Sequence, residues 1–367
     1  MAGNQEVIIV GGGVIGCSIG FHLAKAKLKV LILERGQLGS GASNAASGSL
    51  ATTDDRNSYA KLERASFRMF PDVVAELRDI SGVDAELVEC GGLDLLLTEE
   101  EAISAQESNI NFSQSTKNVQ KLNPKEVHEL EPELSTNLYG AIYRPKTSRV
   151  NNQRLTEGFA KSAKGLGARI QLGANVLGIN VVANKVTGVK LQSGDIHADI
   201  VIVAGGAWSD EILAHNEIKV PGRPVRGQNL NLRPDSNGVK SVISESTGVI
   251  VPRNDGSVMA GVTIENVGFD NKVTTAGIRT IMNKVTSIVP SLENSVLNWT
   301  VSGLRPGTED DFPIMGPVSG TDGLIIATGH YRSGILLSPI TGVLITNLVT
   351  RGDIGLLRPF GLDRFRK

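Results

Sequence analysis

The sequence is poor in the residues that build metal centres and covalent cross-links. Its 367 residues include only two cysteines, Cys17 and Cys90, too few for a disulfide framework or a cysteine-bound metal cluster. This scarcity is typical of a reducing compartment, so we expect a cytoplasmic protein. The five histidines show none of the spacings typical of metal ligands. The sequence therefore predicts no metal site.

Strong charge and long hydrophobic runs are also absent. The formal net charge of −1 provides no basic field, and we expect no nucleic-acid partner. The N-terminus leads into an apolar segment without the basic region and cleavage signal of an export sequence. The longest apolar run, residues 335–349, is interrupted by polar residues and a proline and is short for a bilayer. We predict that it forms a buried helix and expect no transmembrane segment.

Glycine is abundant, and its most informative cluster follows the first apolar segment, residues 6–10. Gly11 allows a tight turn, Gly13 lets a pyrophosphate approach the backbone, and Gly16 lets the following helix pack closely. The N–H groups at the start of that helix can bind phosphates. Glu34 closes the next apolar strand, where a carboxylate accepts hydrogen bonds from ribose hydroxyls. The pattern predicts a dinucleotide-binding βαβ unit, without distinguishing FAD from NAD.

Two later apolar segments also end in glycines, at Gly205 and Gly329, and a strand-rich region lies between them. Glycines at the carboxyl ends of strands mark places where a ligand can approach the backbone. We therefore predict an α/β fold: a discontinuous, doubly wound, Rossmann-like dinucleotide-binding domain, with a second α+β substrate domain on a mixed, largely antiparallel sheet. The predicted ranges are 1–84, 146–216 and 318–367 for the first domain, and 85–145 and 217–317 for the second.

Seven segments carry a resemblance to a known family. They are the first glycine turn, SNAASG at 43–48, AGGAWS at 204–209, PVRGQ at 224–228, VPR at 251–253, GLRPGT at 303–308 and GHYRSG at 329–334. In this order they resemble the glycine oxidase branch of the D-amino-acid oxidase family, over nearly the whole chain. The resemblance implies non-covalent FAD rather than NAD, a doubly wound FAD-binding domain, and a substrate domain whose sheet covers the flavin.

The resemblance also implies which residues bind FAD. The first βαβ unit would hold the adenosine and pyrophosphate. The small-residue loop at residues 43–48, its flanking residues and the start of the last helix would hold the ribityl chain and ring. A role of His330 in flavin reoxidation and a simple core hydrogen bond are equally compatible with the sequence. The FAD-binding residues that the resemblance implies are Gly11, Gly13, Val14, Ile15, Gly16, Glu34, Arg35, Ala42, Ser43, Ser47, Gly48, Ser49, Val176, Gly205, His330, Tyr331, Arg332, Ser333, Gly334 and Ile335.

Two arginines are the predicted catalytic residues. Arg305 matches the family arginine that binds the substrate carboxylate, because a guanidinium pairs two parallel N–H bonds with a carboxylate. Pro306 restricts Arg305 to an extended backbone. Without the resemblance, a surface arginine in a strand-end ion pair would be the simpler interpretation. Arg332 would contact either the substrate or only the flavin and a neighbouring loop.

The implied activity is that of an FAD-dependent oxidase acting on glycine, sarcosine or a small D-amino acid. Hydride transfer to the flavin would form an imine, which water hydrolyses to an oxo acid and ammonia. We assign no catalytic base, because this step depends mainly on positioning. The expected electron acceptor is O2, giving hydrogen peroxide, and thiamine biosynthesis is a natural setting for the imine.

One position departs from the family pattern. Val249 stands where the family has a tyrosine whose hydroxyl assists the arginine in binding the carboxylate. Either another side chain such as Tyr331 would replace that hydroxyl, or Arg305 would bind the carboxylate with fewer partners. Two other functions stay open: an amine dehydrogenase that passes electrons to a quinone or protein, and a flavoprotein maturation or electron-transfer factor acting on a protein partner. The sequence leaves the oligomeric state open, a homo-oligomer included.

Overall fold

The structure, a computed structural model, describes residues 6–52, 57–105, 119–236, 238–246 and 248–366. Helices in these ranges, numbered in chain order, include α1 Val14–Lys25, α2 Ser58–Ser81, α3 Pro124–Leu130, α4 Asn152–Gly165, α5 Ser209–Ala214, α6 Thr275–Ile288 and α7 Gly334–Arg351. The strands are β1 Glu6–Val10, β2 Lys29–Glu34, β3 Ser49–Leu50, β4 Val88–Glu89, β5 Gly92–Leu96, β6 Gln120–Leu122, β7 Gly140–Arg144, β8 Ser148–Arg149, β9 Arg169–Leu172, β10 Val176–Val182, β11 Lys185–Leu191, β12 Gly194–His197, β13 Ile200–Val203, β14 Gly222–Arg233, β15 Val242–Ser244, β16 Val249–Pro252, β17 Val258–Gly261, β18 Val296–Thr308, β19 Ile314–Pro317 and β20 Leu324–Thr328.

A six-stranded sheet in the order β19-β20-β13-β1-β2-β9 forms the centre of the predicted nucleotide-binding part. All its pairs are parallel except that of β19 with β20. The strands come from three separate stretches of sequence, as the discontinuous pattern predicts. β19 also belongs to this sheet, although the sequence-based domain boundary lies just after it, at residue 318.

The two faces of this sheet are covered differently. Apolar side chains of α1, α2, α4 and α7 pack together on one face. The other face packs against the three-stranded antiparallel sheet β10-β11-β12 and against α5. Layers on both faces explain why β13 and β20 are almost wholly apolar and buried. The β10-β11-β12 sheet therefore covers the face on which a doubly wound fold commonly has helices.

The last long helix, α7, includes the apolar run noted in the sequence. It has 18 residues and a mean hydropathy of 1.3, so by length and composition alone it could cross a membrane. In the fold, 56% of the helix is buried, and it packs against α1 and α2. The helix is thus longer than the predicted run and packs as a core helix does.

The second layer of the fold is an eight-stranded sheet in the order β18-β14-β17-β16-β15-β5-β7-β6. All its pairs are antiparallel except that of β15 with β5, which confirms the predicted mixed, largely antiparallel sheet. Helix α6 packs on one face through Ile281, Val285 and Ile288. Because side chains alternate along a strand, polar residues of β14 such as Asn229 point to the opposite face, where the main cavity lies.

Candidate functional site

A cavity of about 880 Å³ lies between the carboxyl edge of the six-stranded sheet and the face of the eight-stranded sheet. Its volume is in the upper range of small-molecule and cofactor sites. Of the predicted site residues, all but Gly16 line it. The lining members of that set are Gly11, Gly13, Val14, Ile15, Glu34, Arg35, Ala42, Ser43, Ser47, Gly48, Ser49, Val176, Gly205, Arg305, His330, Tyr331, Arg332, Ser333, Gly334 and Ile335.

The first glycine turn leaves room at one end of the cavity. Gly11 has φ +114°, and a Cβ there would lie 2.4 Å from the carbonyl oxygen of Ala204. At Gly13 a Cβ would meet only the Ser43 hydroxyl, at 3.3 Å, so this position borders open space. Gly16 has a different role, because a Cβ would lie 1.9 Å from the Gly11 carbonyl oxygen. Gly16 thus permits close packing of α1 and is not part of the cavity wall.

Glu34 lies at the same end and is oriented by backbone amides. Its Oε2 accepts a hydrogen bond from the Gly12 N–H at 2.7 Å, and its Oε1 accepts one from the Gly36 N–H at 2.8 Å. Each carboxylate oxygen has a further lone pair that can accept a ribose hydroxyl. The neighbouring guanidinium of Arg35 stacks on the Trp208 ring, 3.9 Å from its centroid. These groups fit the adenosine end of a dinucleotide.

Side chains from other parts of the chain hold the backbone carbonyls of the small-residue loop after β2. The amide of Asn152 donates to the Ser43 carbonyl at 2.6 Å, and the guanidinium of Arg253 donates to the Ser47 carbonyl at 2.9 Å. The Ser43 hydroxyl in turn accepts the Val14 N–H at 3.0 Å. Burial, together with the nearby Arg149, lowers the pKa of Arg253 to about 10. These bonds fix a loop whose own side chains are too small to pack tightly.

The opposite wall comes from the turn before α7. The His330 ring is buried, and its Nε2 lies 3.1 Å from the Thr341 hydroxyl. Burial lowers the pKa of His330 to about 3, so the ring is neutral near pH 7. Tyr331 has φ +43° and donates its N–H to the Pro306 carbonyl at 3.0 Å. His330 therefore has a core hydrogen bond while it also lines the cavity.

Buried neutral histidines predict a loss of stability in acid. The pKa of His22, a largely buried residue of α1, is lowered to about 4 by that burial, well below the usual 6.5. A group whose pKa is lower in the folded state stabilises the fold above its unfolded pKa and loses that effect as the pH falls. Between pH 6.5 and 5 we expect each of His22 and His330 to lower the unfolding free energy by about 1.4 kcal/mol per pH unit.

Denaturant unfolding of the wild type and of His22→Gln at several pH values tests this prediction. The variant should lose about half of the wild-type slope between pH 6.5 and 5, a range above the ordinary pKa of carboxyl groups. Equal slopes for the two proteins would contradict it.

Arg305 reaches the cavity from β18, the edge strand of the large sheet. It pairs with Val225 of β14, and its guanidinium lies over Gly227, where a Cβ would be only 2.2 to 2.3 Å from its atoms. Its Nη1 donates to the Thr263 carbonyl oxygen at 3.1 Å. Burial lowers the pKa of Arg305, opposed by Tyr331 and assisted by Arg332. Within the described ranges no carboxylate pairs with Arg305, so the surface ion pair considered from the sequence does not form.

Several cavity residues were not predicted from the sequence. Glu245, at the end of β15, lines the cavity and forms an ion pair of 2.6 Å with Lys284 of α6. The Glu245 side chain is only 6% exposed. Val249, the position already noted as departing from the family pattern, lies nearby on β16 and also lines the cavity. No sequence signal could have found the pair, because its members are far apart in the chain and follow no motif.

The donor set of the cavity fits FAD. The Gly11 and Gly13 turn, the amide-oriented Glu34 and the N-terminus of α1 suit an adenosine diphosphate. The loop at residues 42–49 and the turn at residues 330–335 face the remaining length of the cavity. A ligand that spans from Glu34 to Arg305 would contact the junctions at Gly11 and Gly205 and the residues that follow Gly329.

Comparisons with known proteins agree with this site. Residues 6–348 match the family model described as DAO, FAD dependent oxidoreductase. A glycine oxidase from Geobacillus kaustophilus is 34% identical, with 99% of this chain and 98% of that protein covered. A bifunctional protein ThiO/ThiG from Trichormus variabilis is 32% identical, over 99% of this chain and 56% of that protein. A crystal structure of glycine oxidase from Geobacillus kaustophilus matches with a TM-score of 0.93 and 33% identity, covering 99% of this chain and 100% of that one.

These matches confirm the resemblance read from the motifs, the α/β fold and the choice of FAD over NAD as cofactor. They also confirm that the chain is an enzyme. The chain belongs to the DAO family of FAD-dependent oxidoreductases.

Proposed function

We propose that this flavoenzyme is an oxidase that deaminates glycine or another small amino acid, such as sarcosine or a small D-amino acid. The observation that carries this proposal is the guanidinium of Arg305, which lines the FAD cavity without a carboxylate partner in the described ranges. A partly buried cation without an anionic partner is costly, and a substrate carboxylate would supply one. The glycine oxidases among its relatives support the choice of substrate.

The cavity residues would mainly bind and orient the substrate. FAD, when bound, supplies the acceptor for the hydride that leaves the substrate carbon bearing the amine. Arg305 would hold the carboxylate by two N–H bonds and so limit the rotation of that carbon. Glu245 is ion-paired with Lys284 and His330 is bonded to Thr341, which supports a mechanism without a dedicated base. Water then hydrolyses the imine to the oxo acid and ammonia.

The proposed acceptor of the electrons is O2, which takes two electrons and two protons and forms hydrogen peroxide. The imine of glycine is a reactive product, and its use in thiamine biosynthesis is part of this proposal. Anaerobic mixing of the purified holoenzyme with glycine, sarcosine and D-alanine tests the first half-reaction. We expect bleaching of the flavin absorption with at least one of them, and rapid recovery on admission of O2.

Each other outcome has a distinct meaning. Bleaching followed by slow recovery in O2 would replace the oxidase by a dehydrogenase that uses a quinone or protein acceptor. No bleaching with any of the three amino acids would reject amino-acid oxidation and favour a flavoprotein that acts on a protein partner.

Substitution of Gly227 by alanine should displace the Arg305 guanidinium without removing it. A Cβ at this position would overlap the guanidinium, whose flexible side chain can shift without disturbing the sheet. We expect Gly227→Ala to raise KM for the amino acid by about 10- to 100-fold, because a small misplacement of a binding group has a large effect. Steady-state peroxide production measures the change. Gly222→Ala on the same strand is the control, since the nearest atom to its Cβ lies at 3.7 Å. Similar KM values for the two variants would contradict the prediction.

A further inference from the structure

A polar network lies behind Arg305, outside the wall of the FAD cavity. Its members are Arg226 and Gln228 on β14, and Thr263 and Glu265 in the segment after β17. None of these four side chains lines the cavity. The network thus lies outside the cavity lining, and we expect any effect on the reaction to pass through another residue.

Thr263 is the link between the network and Arg305. Its carbonyl oxygen accepts the Nη1 hydrogen bond of Arg305 at 3.1 Å. Its hydroxyl accepts the Gln228 N–H at 3.0 Å and donates to Glu265 Oε1 at 2.6 Å. Both of these bonds lock the backbone of Thr263 relative to β14. The direction of the Arg305 guanidinium thus depends on where Thr263 is held.

Glu265 is the centre of the network. Its Oε2 accepts the Nη2 hydrogen bond of Arg226 at 2.5 Å, and its Oε1 accepts the Gln228 amide at 2.7 Å as well as the Thr263 hydroxyl. The backbones of Arg226 and Glu265 exchange two further bonds of 2.9 and 3.0 Å. The Arg226 side chain is only 6% exposed and the Glu265 side chain 25%, so this ion pair is partly shielded from solvent.

The network stays charged over the working range of pH. Burial raises the pKa of Glu265, but hydrogen bonds from Arg226, Thr263 and Gln228 outweigh it and lower the pKa to about 2. A carboxylate with three donors on two oxygens is held more firmly than a neutral amide in its place. Glu265→Gln should therefore loosen Thr263 without removing a large side chain.

We propose that Glu265 is a positioning residue for substrate binding, which acts through Thr263 to fix the direction in which the Arg305 guanidinium meets a carboxylate. The proposal rests on the proposed function, because it assumes that Arg305 binds the substrate carboxylate. It assigns the strength of that binding partly to a group that lies outside the cavity.

Titration of the holoenzyme with acetate tests the proposal without turnover. Bound acetate should perturb the visible absorption of FAD, and we expect Glu265→Gln to raise the acetate Kd by about tenfold. Glu89→Gln is the matched control, because Glu89 forms an exposed ion pair with Lys146 away from the cavity. An acetate Kd of Glu265→Gln equal to that of the wild type would overturn the proposal and leave the proposed function intact. Absence of acetate binding in the wild type would overturn both.

Turnover separates positioning from general damage. With glycine, Glu265→Gln should raise KM about tenfold and leave kcat within about twofold. With glycinamide, which lacks the carboxylate, kcat/KM should not change. An equal loss of kcat/KM with both compounds would show general structural damage and overturn the proposal.

Thr263→Val provides a second variant should Glu265→Gln fold poorly. It removes the hydroxyl that bonds to Glu265 but keeps the carbonyl that Arg305 uses and the ion pair with Arg226. We expect a smaller rise in the acetate Kd. Because both substitutions act along one path, the double variant should bind acetate about as weakly as Glu265→Gln alone. Additive effects of the two substitutions would overturn the proposed path.

Discussion

Replacement of Arg305 by leucine should raise KM for glycine, or for whichever small amino acid the enzyme accepts, by about 10²- to 10³-fold. This range corresponds to about 2.7–4.1 kcal/mol, within the cost of about 2–5 kcal/mol typical of removing one partner of a hydrogen-bonded charge pair. The wild-type guanidinium lines the cavity, and the Thr263 carbonyl takes only one of its N–H groups. Arg305→Lys should recover only part of the loss, because an ammonium cannot present two parallel N–H bonds.

Steady-state kinetics and anaerobic flavin reduction together measure this effect. The FAD content of the purified variant should match that of the wild type, since Arg305 is proposed to bind the substrate and not FAD. Arg233→Leu is a suitable control, because Arg233 lies on the neighbouring strand β14 and forms an exposed ion pair with Asp255. A KM within threefold of the wild type in Arg305→Leu would remove Arg305 from the binding site and contradict the proposed function.

Replacement of Gly13 by glutamate should abolish FAD binding while leaving the protein folded. A Cβ at Gly13 has only the Ser43 hydroxyl nearby, at 3.3 Å, so the larger side chain can extend into the cavity. There its negative charge would face the pyrophosphate at the N-terminus of α1, where like charges repel by several kcal/mol. We expect a colourless protein whose FAD affinity is at least about 100-fold lower.

Two matched variants separate cofactor loss from unfolding. Gly16→Ala places a Cβ 1.9 Å from the Gly11 carbonyl oxygen, so it should destabilise the fold itself. Gly165→Glu adds the same charge at the exposed end of α4, where a Cβ has only Ile80 in contact at 3.5 Å, and should retain FAD. Circular dichroism and FAD titration are the measurements. FAD retained at wild-type affinity in Gly13→Glu would place the pyrophosphate elsewhere.

Local sequence patterns predicted the first βαβ unit well. The helix α1 begins at Val14, directly after the glycine turn, and Glu34 ends β2 as expected. The helix α2 begins directly after Asn57, whose side chain caps it by accepting the Ala60 N–H at 2.8 Å. Such features depend on neighbours in the chain, so short-range periodicity and capping chemistry are sufficient to predict them.

Other features depend on contacts between distant parts of the chain. The sequence alone did not indicate that Gly227 makes room for Arg305, or that Glu245 pairs with Lys284 at the cavity wall. The small sheet over the second face of the nucleotide-binding part was also not evident. The edge strand β19 lies just before the predicted boundary at residue 318, yet it belongs to the nucleotide-binding sheet. Pairing with β20 places it there, and its own composition gives no sign of this.

By itself the sequence determined the class of fold and the dinucleotide-binding turn, because glycine spacing and strand-to-helix periodicity are local properties. The choice of FAD and of Arg305 as the candidate carboxylate ligand came from the resemblance of the longer motifs to a known family. Only the tertiary structure decided that His330 is a buried neutral ring and that Thr263 and Glu265 lie behind Arg305. The physical reason is that burial, a clash at an added Cβ and a hydrogen bond between distant residues exist only after the two sheets have packed together.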